Sequence, residues 1–210
     1  MRDGELTRRG VDACRAALEL HGLLLVQDAT LPSVTTLTVG EPVRGSWWGH
    51  DLAHSIFDVI EALEPEVAVV KLVAGKQTLV HPRLLPALVA VGTARDGWQT
   101  AGLSDAAASA LDVVDKARAQ VHPEALGGDA NPNAILRELE LRLLVMTEEL
   151  HTQSGRHVKT AIGWRQWAKD RGLSRSAIPR GSAALVSLED AVQSFGVARW
   201  RKLLPWPPAE

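Results

Sequence analysis

A tight β-hairpin that directly follows an amphipathic helix is the feature of this sequence that most constrains its fold. The segments VAVVKLV (67–73) and KQTLVHP (76–82) are rich in β-branched residues and meet at Ala74-Gly75, where glycine can supply the positive φ of a tight turn. The helix before them is indicated by one apolar stripe at helical spacing: Leu52, Ile56, Val59, Ile60 and Leu63. The sequence therefore predicts a helix followed by a two-stranded hairpin.

The elements upstream complete the order of a winged helix. Residues 7–20 are predicted as a helix, residues 23–26 as a short strand and residues 32–40 as a second helix. The turn GSWWGH (45–50) then leads into the amphipathic helix. Helix, strand, helix, helix and hairpin is the order of a helix-turn-helix followed by a wing. Residues 48–63 would then form the helix that enters a nucleic-acid groove.

The rest of the chain is predicted to be helical. LSDAAASALDVVDKARAQ (103–120) is rich in alanine, and AILRELELRLLVMTEEL (134–150) is dense enough in leucine to be mostly buried. Residues 122–133, rich in Pro, Gly, Asp and Asn, have the composition of a loop. After a break at Gly155, TAIGWRQWAKDRG (160–172) is predicted as a further helix.

The predicted fold class is mainly α with a small β-hairpin: a winged helix-turn-helix plus a helical C-terminal part. The winged-helix domain is predicted over residues 1–92, and a helix with a connecting loop over residues 93–130. The helical C-terminal part, packed on the first domain, is predicted over residues 131–210. The boundary near residue 130 rests on the loop composition just before it.

Composition and the N-terminal residues argue against membrane and secreted classes. No run of 18 apolar residues occurs, so we expect no membrane-spanning helix and no membrane partner. The first ten residues, MRDGELTRRG, lack the apolar segment of a secretory signal. The lone cysteine, Cys14, cannot form an internal disulfide and is predicted to be a buried thiol. We therefore expect a cytoplasmic protein.

Charge is distributed unevenly along the chain. The formal net charge is −2, but residues 1–150 carry 13 Lys and Arg against 21 Asp and Glu, whereas residues 151–210 carry 10 against 4. A basic C-terminal portion permits an acidic partner such as nucleic acid. It equally permits docking on the acidic part of the same chain, and charge alone leaves both interpretations open.

Three stretches carry a resemblance to a known family: LPSVTTLTVGEPVRGSWWGH (31–50), VVKLVAGKQTLVHPRLLPALVAV (69–91) and EELHTQSGRHVKTAIGWRQWA (148–168). Together they resemble bacterial proteins related to AlkZ, a winged-helix DNA glycosylase family that removes alkylated or crosslinked bases. The resemblance implies DNA or RNA binding and a role in DNA repair by base excision. AlkZ-type enzymes use a Gln-x-Gln or Gln-x-Asp pair, and no glutamine here stands in either pattern. The resemblance therefore transfers no catalytic residue.

Basic and aromatic residues around the hairpin are candidate nucleic-acid contacts. Lys71 and Lys76 lie on the predicted wing, Arg83 follows it and Arg44 precedes the long helix, so all four could neutralise phosphates. Trp48 could stack on an unpaired base. The alternative is structural, with the lysines on the wet face of a hairpin and the tryptophan packed. The long helix is acidic and has no Lys or Arg, which disfavours groove docking and leaves a non-catalytic protein-interaction module open.

The segment EELHTQSGRHVK (148–159) is the richest candidate for chemistry. Its possible general bases are Glu149, His151 and His157. Its possible phosphate ligands are Ser154, Arg156 and Lys159. The same segment also fits a corner between helices whose polar side chains are solvated.

A metal site is a weaker candidate. His50 and His54 lie four residues apart, which places both on one helical face at a ligand spacing. Helix capping or packing is the alternative role for this pair. A small hydrolase built on these histidines and on His151 and His157 is a third functional hypothesis, and no cofactor is predicted.

Overall fold

The computed structural model describes residues 2–126, 131–151, 157–179 and 182–207, with backbone alone for Arg2, Asp3, Leu150, His151 and His157. The chain divides into two compact units. The first unit comprises Met1–Leu85 and Val186–Leu204, and the second comprises Pro86–Leu185 and Pro205–Glu210. The fold is mainly helical with small antiparallel sheets. None of the described helices is both long and apolar enough to cross a bilayer.

Within the described residues of Met1–Leu85, the first unit has three complete α-helices and a three-stranded antiparallel sheet. Its elements are α1 (Arg2–His21), β1 (Leu23–Leu25), α2 (Val34–Val39), α3 (Ala53–Leu63), β2 (Ala68–Lys71) and β3 (Gln77–Val80). β3 pairs with both other strands, so the strand order is β1-β3-β2. The predicted order of helix, strand, helix, helix and hairpin is confirmed.

Local sequence explains why these elements begin and end where they do. The Ser33 hydroxyl accepts a hydrogen bond from the Thr36 amide at the start of α2, and Gly40 ends that helix with a φ of 91°. Ala74 and Gly75 form the β2–β3 turn with φ values of 54° and 66°. The predicted hairpin and its turn are confirmed. The core beneath the sheet contains Cys14, Leu18, Val59, Leu63 and Leu79.

The helix predicted from residue 48 begins later, at Ala53. Residues Trp47–Gly49 instead form a single 3₁₀ turn, in which the His50 amide donates to the Trp47 carbonyl at 3.0 Å. The Leu52 amide then donates to His50 Nδ1 at 3.1 Å, so this imidazole satisfies a backbone group just before the helix. This is a local contact in the turn before α3, whose N-cap residue is Leu52.

The second unit combines helices with a second hairpin. Its elements are α4 (Leu85–Ala94), α5 (Gly97–Thr100), α6 (Asp105–Lys116), α7 (Pro132–Leu141), β4 (Met146–His151), β5 (His157–Ile162) and α8 (Trp164–Asp170). The last helix, α9 (Ala183–Gln193), begins in this unit, and most of it belongs to the first. The α4 helix begins at the boundary between the units, and α9 contains the boundary at residues 185–186. The core of this unit includes Ala107, Leu136, Leu139, Leu144 and Ala161.

The prediction of a continuous helix over residues 134–150 is wrong, and the C-terminal part, predicted as helical, contains a hairpin besides its helices. Helix α7 ends at Leu141, and Leu143 takes a left-handed conformation with a φ of 53°. Its carbonyl accepts a hydrogen bond from Trp164 Nε1 at 2.7 Å, which fixes this corner of the chain. Beyond it, β4 pairs antiparallel with β5 from Met146↔Ile162 to His151↔His157. The leucine density of the segment concealed this strand.

Candidate interaction surface and groove

The two adjacent tryptophans are treated differently by the fold. Trp47 is buried against Val43 and Ile56, whereas Trp48 is 64% exposed and stacks on Trp47 with ring centroids 4.0 Å apart. Phe57, 37% exposed, lies 5.9 Å from Trp48 between ring centroids. One tryptophan of the pair therefore belongs to the core. The other forms an exposed aromatic patch with a side chain of α3.

Acidic side chains accompany this patch. Phe57, Asp58 and Glu61 follow His54 at spacings that place all four on one face of α3, and all four are exposed. Asp51, Asp58 and Glu61 have no hydrogen-bond or ion-pair partner among the described residues. We call Trp48, Phe57, Asp51, Asp58 and Glu61 the aromatic–acidic surface.

A groove of about 620 Å³ lies elsewhere on the first unit, between three loops. Its walls are the β1–α2 connection, the α2–α3 connection and the start of β3. Its apolar lining consists of Val26, Ala29, Val43 and Trp47, and its polar lining of Gln27, Asp28, Arg44, Gly45, Lys76 and Gln77. We call this cavity the loop groove. Its residues are distant in sequence, so no local motif indicated it.

Asp28 is the electrostatic centre of the loop groove. Its Oδ1 accepts hydrogen bonds from the Thr30 amide at 2.8 Å, the Thr30 hydroxyl at 3.0 Å and the Leu31 amide at 2.9 Å. Lys76 Nζ lies 2.7 Å from its Oδ2. Burial by itself raises the pKa of Asp28, but the Lys76 ion pair and these hydrogen bonds outweigh it and lower the pKa to about 2. Lys76 is thus held by a carboxylate.

Most of the other predicted phosphate contacts in the first unit are also engaged. Arg83 donates from Nη1 to the Glu19 carbonyl and from Nη2 to the Leu20 carbonyl at 3.3 Å, so it caps the C-terminus of α1. Lys71 lies half-buried at the end of β2, where it also has a partner. Arg44 is exposed, and it alone of the four basic candidates lacks a partner within the part of the chain that the structure describes.

The candidate site at residues 148–159 has a different structure from the predicted helix corner. Its two ends are the strands β4 and β5, which pair Glu149 with Lys159 and His151 with His157. Ser154 and Arg156 lie outside the described residues. Glu149 is exposed and has a partner, and the histidine side chains are not described. The structure therefore brings these positions together by strand pairing rather than at a free helix end.

Lys159 is paired with a buried acid that the sequence did not single out. Its Nζ lies 2.5 Å from Oε1 of Glu140, and the Thr147 hydroxyl donates to the same oxygen. A buried carboxylate requires such compensation. Glu148 of β4 and Thr160 of β5 both contact Gln120, which lies outside the hairpin. Gln120 Nε2 donates to Glu148 Oε2, and the Thr160 hydroxyl lies 3.3 Å from Gln120 Oε1. These polar groups satisfy one another around the β4–β5 hairpin.

The weak metal candidates acquire no further ligand from the side chains that the structure describes. His50 uses Nδ1 to accept the Leu52 amide hydrogen bond, and His54 is exposed on α3. No group of three or more His, Cys, Asp or Glu side chains suited to a metal ion occurs among the residues with described positions.

Cys14 is predicted to react with thiol reagents only when the protein opens. The side chain is buried, and burial raises the pKa of the thiol to about 12. Because the thiolate is the reactive form, alkylation at pH 8 should be roughly a hundredfold or more slower in the folded protein than in denaturant. The measurement is the rate of iodoacetamide incorporation with and without denaturant. Equal rates would contradict the burial of this thiol.

Comparison with protein-family models, with curated proteins and with solved structures finds no match to this chain.

Proposed function

We propose that the first unit is a winged helix and that it acts as an interaction module, binding a basic protein segment through the aromatic–acidic surface. The observation that carries this proposal is the 64% exposure of Trp48, which lies beside Phe57 of α3. The Lys, Arg, Asp and Glu positions of that helix are all acidic. Large aromatic side chains in contact surfaces contribute disproportionately to binding.

The topology supports the winged-helix part of the proposal. The elements follow the order helix, strand, helix, helix and hairpin that is typical of that fold, and the hairpin strands join β1 in the order β1-β3-β2. In such a fold α3 is the helix usually presented to the partner. The turn before it, Trp47–Gly49, is where Trp48 is exposed.

The electrostatics favour a protein partner over duplex nucleic acid. Asp58 and Glu61 project from α3, which has no Lys or Arg, so this helix would repel the phosphates that flank a major groove. The cations near the wing are already occupied, since Lys76 pairs with Asp28 and Arg83 caps α1. A surface of this kind is complementary to a segment with lysines or arginines around one or two apolar anchors.

Nucleic-acid binding, which the AlkZ resemblance implies, is the second candidate function. The observation that favours it is Arg44, an unpaired guanidinium that shares the loop groove with Trp47, on which the exposed Trp48 stacks. An arginine for a phosphate and an aromatic ring for an unpaired base are the elements of single-strand recognition. This function would use Trp48 without placing α3 in a groove.

A peptide-display selection on the folded protein tests the proposed function. We expect the enriched peptides to combine basic residues with a large apolar residue. A synthetic peptide of the consensus sequence should bind Trp48→Ala roughly thirtyfold more weakly than wild type, the loss expected for an interface residue that contributes about 2 kcal/mol. The charge reversal Glu61→Lys should weaken it as well, most strongly at low salt.

Leu20→Ala is the matched control, because Leu20 is a comparably exposed apolar residue (71%) on α1 of the same unit. It should leave peptide affinity unchanged. In parallel, labelled duplex, single-stranded and abasic DNA and RNA are titrated across a salt series. Peptides that bind Trp48→Ala and wild type equally would overturn the proposal. Salt-dependent, Trp48-dependent binding of a single strand would establish the second candidate instead.

A further inference from the structure

The loop groove is a second feature of the first unit that the proposed interaction surface does not use. Three connections that are far apart in sequence converge on it, and hydrogen bonds hold them together. Gln27 Nε2 donates to the Gly45 carbonyl at 2.5 Å, and the Val26 amide donates to the Gln77 carbonyl at 2.9 Å. The Lys76–Asp28 ion pair fastens the hairpin turn to the same wall. The groove is therefore formed before any ligand enters.

Its charges leave a net positive site. Asp28 is the acid in the lining, and Lys76 neutralises it at 2.7 Å. Arg44 remains with its guanidinium unpaired among the residues whose positions are described. The side-chain carboxamide of Gln77 is exposed and has no hydrogen-bond partner among the described residues. One cation and one side-chain amide are thus available to a ligand.

The remaining lining is apolar. Val26, Ala29, Val43 and the buried ring of Trp47 supply it. A cavity of about 620 Å³ falls within the size range of small-molecule sites, in which an apolar lining and a few placed polar groups define the ligand. Guanidinium groups bind planar oxyanions through two parallel hydrogen bonds.

We propose that the loop groove binds a small organic anion, an oxyanion group on a compact apolar body, with Arg44 holding the anion and Gln77 donating to it. The carboxylate and the phosphate monoester share this chemistry. The groove adjoins the aromatic–acidic surface, because Trp48 stacks on the Trp47 ring that lines the groove. Arg44 and Gln77 do not belong to that surface, so variants at these two positions test the anion site independently of the proposed function.

The test is an NMR titration of the full chain with benzoate and with phenyl phosphate, following the Trp47 indole and Gln77 amide resonances. Benzamide, the neutral counterpart of benzoate, serves as the ligand control. We expect saturable binding of at least one anion and about tenfold or more weaker binding of benzamide, because the charge-assisted hydrogen bonds are lost. Preference for benzoate would identify a carboxylate ligand, and preference for phenyl phosphate a phosphate ester.

Two variants locate the site, and one controls for charge. Arg44→Gln should lower the affinity for the anion about tenfold or more, because it removes the cation. Gln77→Glu should lower it by a similar factor, because it adds a repulsive negative charge. Arg8→Gln removes an exposed arginine from α1 of the same unit and should leave affinity unchanged. All three positions are exposed, so thermal unfolding should be unaffected and will verify folding. Absence of saturable binding, equal affinity for benzamide, or insensitivity to Arg44→Gln would each overturn the proposal.

Discussion

Replacing Gly92 with alanine is expected to destabilise the second unit by about 3 kcal/mol, lowering its Tm by roughly 10 °C. Glycine within a helix normally costs stability relative to alanine, so the usual substitution would be favourable. Here a Cβ atom on Gly92 would lie 2.5 Å from Cδ1 of Trp164 and would also overlap sterically with Cε2 and Nε1 of that ring. The sign of the usual effect is therefore reversed.

The ring of Trp164 has little freedom to move away. It is buried, its Nε1 donates to the Leu143 carbonyl at 2.7 Å, and Trp167 packs against it edge-on at 5.7 Å between ring centroids. Displacing the indole would break the hydrogen bond that holds the α7–β4 corner. Overpacking of this kind cannot be relieved by a rotamer change of a flexible side chain.

Thermal and denaturant unfolding of Gly92→Ala measure this effect, with Gly97→Ala as the control. Gly97 is the first residue of α5, in the same unit, and a Cβ there meets no atom within 4 Å. The control should be neutral or slightly stabilising. If Gly92→Ala were as stable as Gly97→Ala, the close packing of α4 against Trp164 would be wrong.

Asp28→Ala is expected to cost about 3 kcal/mol of stability at pH 7. The substitution removes three hydrogen-bond acceptor contacts to Thr30 and Leu31 and leaves Lys76 without its carboxylate. The Lys76 side chain is half exposed, so its ammonium can be hydrated when the carboxylate is removed. The loss of stability should therefore lie at the lower end of the range for breaking a buried ion pair. Asp28→Asn retains acceptor contacts but not the charge and should cost about half as much.

The same residue predicts a dependence of stability on pH. The pKa of Asp28 falls from an ordinary 3.8 to about 2 on folding, so the folded state favours the carboxylate. Its contribution, about 2 kcal/mol, is fully present above the unfolded pKa and is lost as pH falls through the folded one. The stability difference between wild type and Asp28→Asn should therefore narrow between about pH 4 and pH 2.

Chemical denaturation across that pH range, followed by tryptophan fluorescence, measures the difference. Asp58→Asn provides the control, because Asp58 is exposed on α3 and has no partner among the described residues. It should change stability by less than about 0.5 kcal/mol at every pH. A constant difference between wild type and Asp28→Asn would show that the carboxylate is not paired in the folded protein.

The parts of this fold that could be predicted depend on contacts close in sequence. The β2–β3 hairpin was predictable because β-branched residues flank a Gly75 that takes a positive φ. The end of α7 was not, because the left-handed Leu143 is held by Trp164, 21 residues away. A leucine-rich pattern cannot distinguish a strand from a helix when a distant side chain decides the boundary.

The candidate sites follow the same division. Two adjacent side chains in one turn rarely both point inward, so the exposure of one tryptophan could be anticipated. The acidic residues of α3, and its lack of Lys and Arg, are visible directly in the sequence. The ion pair of Lys76 with Asp28 joins residues 48 positions apart. That of Lys159 with Glu140 involves strand β5, where the sequence predicted a corner between helices. Both lysines were therefore predicted as free cations, and only their partners show otherwise.

The division of the chain also has a consequence for biosynthesis. The first unit receives Val186–Leu204 only after the roughly 100 residues of Pro86–Leu185 have been translated. At about 5–20 residues per second, its sheet and three helices would wait some 5–20 s for contacts such as that of His21 with Ser194, at 2.9 Å. During that interval the surface later covered by this segment remains uncovered, so the rate of translation sets how long the first unit stays incomplete.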